Sequence, residues 1–183
     1  MSVPLTQALD RLLEIRLFWK RKLTPPPRPA DEPVFTDIRN DDQEMSRAYR
    51  VAANSLDQFL FHIRREGGHT CAAKMKFRDP GLSERLGEDR YVFIWLNSIE
   101  YDDERKIFTG AFFEVPHELL QWHQPGQRLE FEADDIFDWF VNDDGYLHGG
   151  FTLRIARARL PEADRAGFDE YTGVTRWAPG ELN

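Results

Sequence analysis

The sequence predicts an α+β protein: one long amphipathic helix packed on a strongly curved antiparallel sheet of about five strands, with a further helix appended at the N-terminus. Three observations lead there. Apolar residues recur at helical spacing over residues 42–65. After Gly67-Gly68 the period shortens to that of strands. The strand-like runs that follow are joined by short turns, and short connections pair neighbouring strands antiparallel. With 41% hydrophobic and 13% aromatic residues, the chain has ample material for a core.

Residues 4–23 read as an amphipathic helix, with Leu5, Leu9, Leu12 and Leu13 on one face. Arg16, Lys20, Arg21 and Lys22 stand in its last turns, where the helix dipole favours cations. Residues 24–40 open with TPPPRPADEP, which admits neither helix nor sheet and predicts an extended linker. Three placements for the helix of residues 1–23 stay open. It packs on its own domain, it docks on a partner or on a second copy as a homodimer, or it lies on an anionic membrane.

A single helix is expected over 42–65, with Asp41 as its cap and Glu44 completing a capping box. Its apolar stripe runs through Met45, Ala48, Tyr49, Ala52, Leu56, Phe59, Leu60 and Ile63. Strands are expected over 71–77, 91–99, 107–114, 136–141 and 146–154, with alternating Leu129 and Phe131 ahead of the last two. Residues 79–90 read as a polar loop, and Pro116–Trp122 as one helical turn. Asp144-Gly145 marks a tight hairpin. The organisation is then an N-terminal helix (1–23), a Pro-rich linker (24–40), an α+β domain (41–160) and an irregular C-terminal tail (161–183).

Several blocks, in order, resemble one bacterial family. They are the helix ending in LDQFLFHI, the Lys-bearing AAKMKF (72–77), FIWLNSIEY (93–101), FTGAFFEVP (108–116), and PGQRLEFEADDIFDWFVNDDGYLHGGFTLR (125–154). Together they resemble the domain-of-unknown-function family 2314, the YegJ-like proteins, over about Asp41 to Ile155. The chain departs from the family pattern before its strand tryptophan. Val92 and Phe93 stand where members usually carry an acidic and a polar residue. The resemblance implies a small α+β domain of bacterial source with no assigned activity. It also associates such small acidic proteins with toxin-immunity loci.

Charge excludes some functions. The net charge is -8, and a general nucleic-acid binder needs a basic face, so no nucleic-acid partner is expected. The acidity is concentrated in residues 101–150, which hold three bases and twelve acids. No segment reaches the roughly 18 consecutive apolar residues of a membrane span, so no spanning segment is expected and a membrane is a disfavoured partner. A single cysteine, Cys71, excludes an internal disulfide framework and fits the cytoplasm.

Catalytic templates are incomplete. His117-Glu118 and His123 have the wrong spacing for a zinc helix. The segment from Phe140 to Phe151 lacks a calcium loop's first ligand and its bidentate glutamate. Nucleophile elbows and phosphate loops are absent. No metal and no cofactor is expected. Asp138 lies inside an apolar run before Trp139 and so reads as partly buried, with Arg154 within reach. One reading makes Asp138, Trp139, His148 and Arg154 a polar site of a small-molecule binder or hydrolase-like enzyme. The other makes Asp138 a structural group, paired with Arg154 or bonded to backbone amides. Trp95, Trp122 and Trp139 are core residues or a ligand platform. The reading leans away from catalysis. It favours binding of a basic partner protein through Asp134, Asp135, Asp143 and Asp144, with a toxin-neutralising immunity protein as one concrete form.

Overall fold

The computed structural model describes residues 42–65 and 67–179. The helix expected over 1–23 and the linker over 24–40 lie outside the described residues. The helix expected from residue 42 is capped by Asp42 and not by Asp41: the Asp42 carboxylate accepts from Met45 N at 3.1 Å, and Glu44 completes no capping box. Within them, two helices come first: α1 (Gln43–Asn54) and α2 (Leu56–Arg64). Strand β1 (Thr70–Asp79) leads directly into helix α3 (Pro80–Leu86). Strands β2 (Arg90–Asp102), β3 (Ile107–Phe112) and β4 (Arg128–Phe131) follow, with a short 3-10 turn at His117–Leu119 between the last two. Then come β5 (Ile136–Asp143), β6 (Tyr146–Gly149), α4 (Phe151–Arg159), α5 (Glu162–Thr172) and β7 (Arg176–Trp177).

The class is α+β, but its specifics correct the expectation. The sheet has seven strands in the order β4-β3-β2-β1-β5-β6-β7. It is mixed, because β7 runs parallel to β6 while the other pairs are antiparallel. Among the described residues, no single long helix packs on it. The expected helix over 42–65 breaks at Ser55, whose φ of -118° and ψ of 17° leave the helical region. The Ser55 hydroxyl donates to Val51 O at 2.8 Å, and the Ser55 amide donates to Ala52 O at 3.1 Å. A hydroxyl that competes for backbone carbonyls opens a helix at that point. The apolar stripe continues unbroken across the joint, so periodicity alone misses it.

Three further corrections share one cause, an unread helix start. Residues 79–90 are not all loop: Asp79 accepts from Leu82 N at 2.8 Å, Pro80 stands at the first helical position, and Gly87 ends α3 in the left-handed region. The strand expected over 146–154 stops at Gly149, and the chain turns into α4. The tail over 161–183 is not irregular, because Pro161 precedes α5, Glu162 and Asp164 occupy its first turn, and Gly173 closes it.

The core holds Phe59, Leu96, Phe108, Phe112, Leu119, Trp139, Val141 and Leu147, all at most 2% exposed. Through it runs a row of stacked rings. Phe131 stacks on Phe108 at 5.7 Å, Phe108 on Phe59 at 6.2 Å, and Phe59 on Trp139 at 5.2 Å. The row crosses β4, β3, α2 and β5, so it ties the helix to both halves of the sheet.

Candidate functional site

The polar centre of the molecule is built on two central strands. Register places Lys74 of β1 opposite Asp138 of β5. The next pair is Met75 with Ile136, so Phe137 is an extra residue on β5 and forms a bulge. Period-2 alternation then puts Trp139 on one face of β5 and Asp138 on the other.

Asp138 is fully buried. Its Oδ1 accepts from Trp139 N at 2.8 Å and Phe151 N at 3.2 Å. Its Oδ2 accepts from Thr152 N at 2.7 Å and the Thr152 hydroxyl at 2.6 Å. The carboxylate thus caps the first turn of α4, where the backbone amides lack intrahelical partners. Two glycines make this turn. Gly149 and Gly150 have φ of 66° and 64°, and a Cβ on Gly149 would lie 2.4 Å from Trp139 O. The Lys74 ammonium donates to the Thr152 hydroxyl oxygen at 3.1 Å. Lys74, Thr152 and Asp138 therefore form one chain of hydrogen bonds. Burial pushes the Asp138 carboxyl up, against the Thr152 hydrogen bonds that hold it down. Burial pushes the Lys74 amine down, against the attraction of Asp138.

Around Lys74 Nζ stand the rings of Trp95 (5.6 Å), Phe93 (5.7 Å) and Tyr49 (6.0 Å). Phe93 stacks on Tyr49, and Trp95 lies 5.0 Å from Phe140. The Tyr49 hydroxyl is buried and has no hydrogen-bond partner among the described residues. Burial, with the Asp138 charge, pushes it up to about 12.

The expected site of Asp138, Trp139, His148 and Arg154 does not assemble. The Arg154 side chain turns away to donate to Gly149 O at 2.9 Å and stacks 5.1 Å over Trp177. His148 lies 4.2 Å from His62, between α2 and β6. Trp139 is 1% exposed and donates through Nε1 to Ala52 O and Ser55 Oγ, both at 3.2 Å. Sequence reasoning missed Lys74, Thr152 and Tyr49. One signal was present: Lys74 is a lone charge in the apolar stretch CAAKM, as Asp138 is in IFDWF.

The acidic positions are likewise not brought together. Asp134 and Asp135 precede β5, whereas Asp143 ends it. At ~3.3 Å per residue the two pairs stand about 25 Å apart. Asp143 pairs with Arg65, and the Asp135 carboxylate accepts from Glu132 N at 3.0 Å. Other acids of the same stretch are also engaged: Glu130 with Arg105, and Asp103 with Arg64.

A second concave feature lies where α3 meets the turn after β3. It is an open groove of about 580 Å³, lined by Asp79, Leu82, Arg85, His117, Leu120 and Trp122 among others. Leu119 anchors this turn in the core at 2% exposure, while Leu120 and Trp122 are 52% and 48% exposed. Among the described residues, no cluster of three or more His, Cys, Asp or Glu side chains is arranged to hold a metal. No described helix is long and apolar enough to cross a membrane.

Residues 42–175 match the family described as an uncharacterized protein conserved in bacteria, DUF2314. A protein of Neisseria meningitidis serogroup B, named as an ankyrin repeat protein, is 30% identical over 98 residues. That similarity spans 52% of this chain and 38% of the relative, so the relative is much longer than the region shared. No solved structure matches the chain.

Proposed function

We propose a function for a chain that belongs to the DUF2314 family of bacterial proteins: it binds a basic partner protein and performs no chemistry on it. The observation that carries this reading is the pair of large apolar side chains, Leu120 and Trp122, left about half exposed on the rim of a groove. A buried anchor, Leu119, fixes the turn that presents them, so the pair is held in place. Exposed tryptophan beside a groove is the residue type that dominates binding energy at protein interfaces. Arg85, His117 and Glu118 give the groove the polar rim such interfaces have. The net charge of -8 favours a basic partner by speeding encounter.

On this reading the centre of binding moves from the acidic positions to the groove. Asp134, Asp135, Asp143 and Asp144 form no single patch, so they act as a diffuse field and the groove supplies the contact. The relative named as an ankyrin repeat protein is consistent with a setting of protein interaction. Neutralisation of a basic toxin in the cytoplasm is one concrete form of this function.

The test is affinity capture from native lysate with the full chain, at low and high salt, beside Trp122→Ala and an Asp134→Lys/Asp135→Lys double variant. The expected result is one stoichiometric partner. It weakens with salt, weakens about tenfold or more with Trp122→Ala, and weakens modestly with the charge reversal. A partner retained equally by all three proteins would show that the groove is not the interface.

A further inference from the structure

We propose that Lys74 is the nucleophilic amine of a site that captures an aromatic or apolar aldehyde as a reversible imine. The inference is independent of the docking groove. It rests on a convergence of groups around one nitrogen.

The first group is the hydrogen-bond chain. Lys74 Nζ donates to the Thr152 hydroxyl at 3.1 Å, and that hydroxyl donates to Asp138 Oδ2 at 2.6 Å. As Lys74 gives a proton to the Thr152 oxygen, the hydroxyl proton passes to the carboxylate. The ammonium and carboxylate become an amine and a carboxylic acid with no atom moving far. Burial pushes toward that neutral pair, because it disfavours the charge on both partners, while the attraction between Lys74 and Asp138 pushes back. An amine moved toward its neutral form by its surroundings is what Schiff-base lysines share.

The second group is the ring of aromatic side chains. Phe93, Trp95 and Tyr49 face Nζ at 5.7, 5.6 and 6.0 Å. Lys74, Tyr49, Phe93, Trp95 and Phe140 are all half-buried, so this wall keeps part of its surface in solvent. It offers flat apolar contact to a flat apolar ligand. The third is the Tyr49 hydroxyl, which is buried and has no hydrogen-bond partner among the described residues. Buried hydroxyls are nearly always bonded, so the Tyr49 ring brings an unused hydrogen-bonding group to this wall.

The step balances. The Lys74 lone pair adds to the aldehyde carbon as the carbon–oxygen π bond breaks, and a proton passes from the nitrogen to the oxygen to give a carbinolamine. The carbinolamine hydroxyl then takes the proton held by Asp138, relayed through Thr152, the carbon–oxygen bond breaks, water leaves, and a protonated imine remains beside the Asp138 carboxylate. Hydrolysis reverses each step, and no oxidant or reductant is needed.

The experiment uses the full chain with benzaldehyde and cyanoborohydride, which reduces any imine to a stable benzylamine read by peptide mass spectrometry. Lys76 is the internal control, because it lies two residues along the same strand and is exposed. The expected result at pH 7 is labelling of Lys74 about tenfold faster than Lys76, lost in 6 M guanidinium. Thr152→Val should slow Lys74 alone, and Thr152→Ser should restore it. Labelling of Lys74 at or below the rate of Lys76 in the unaltered protein overturns the proposal, and that comparison does not depend on any variant folding.

Discussion

Trp139 and Trp122 are the same side chain under opposite conditions. Trp139 is 1% exposed, its indole N–H satisfied by Ala52 O and Ser55 Oγ, and its ring packed on Phe59 and against Phe151. Trp122 is 48% exposed on a groove rim. The aspartates divide in the same way. Asp138 is fully buried and accepts four hydrogen bonds, while Asp134 is exposed beyond the start of β5. Residue type therefore says little about role here. A side chain whose apolar surface and polar atoms are both satisfied within the fold is spent on stability. One left half-covered is available to something else.

The sharpest way to break this comparison is Trp139→Ala. It removes a fully buried indole and the partner of the Ala52 carbonyl, so stability should fall by about 4–5 kcal/mol in urea unfolding. For a domain whose total is ~5–15 kcal/mol, that is a large share. Asp138→Ala should cost about 3–5 kcal/mol, because the Phe151 amide, the Thr152 amide and the Thr152 hydroxyl all lose their buried acceptor. Gly149→Ala should cost about 2–3 kcal/mol, since the new Cβ meets Trp139 O and the residue sits at positive φ. A Trp122→Ala cost equal to that of Trp139→Ala would erase the distinction. The expected value is about 1 kcal/mol or less, alongside the large loss of partner binding described above.

Acid sharpens the comparison from another side. Burial, with His148 and Arg65 nearby, lowers His62 from 6.5 to about 4. The unfolded chain then takes up the proton first, so stability is intact above about pH 6.5 and is lost as pH falls toward 4. The loss over that window should be about 2 kcal/mol, and His62→Gln should remove most of it. Asp138 has the opposite slope, because a raised carboxyl gains a proton more readily in the folded state. The difference between unaltered protein and variant isolates the histidine. The smallest effect is expected at the exposed Arg105–Glu130 pair, where Arg105→Ala should leave the urea midpoint unmoved.

Much of the fold was legible where the signals are local. The strands over 70–79, 90–102, 107–112 and 136–143 match runs of aromatic and β-branched residues, and Asp144-Gly145 is the hairpin turn between β5 and β6. The missed helices were also locally signalled. Asp79-Pro80 with Gly87, and Pro161 with Gly173, bracket α3 and α5, but their weak apolar periodicity masked the brackets. The break at Ser55 was not legible, because a serine inside a continuous apolar stripe reads as helix until the Trp139 indole arrives from 84 residues away.

Composition and periodicity by themselves determined the α+β class, the acidic charge, the central strands and the partial burial of Asp138. Those properties follow from short-range spacing and from the cost of exposing or burying each residue type. Only the tertiary structure decided the partners. It gave Asp138 to Thr152 and Lys74 instead of Arg154, placed His148 on His62, and set Asp134 and Asp143 at opposite ends of one strand. Strand register and the Phe137 bulge fix those choices, and register is a property of paired strands that no single segment encodes.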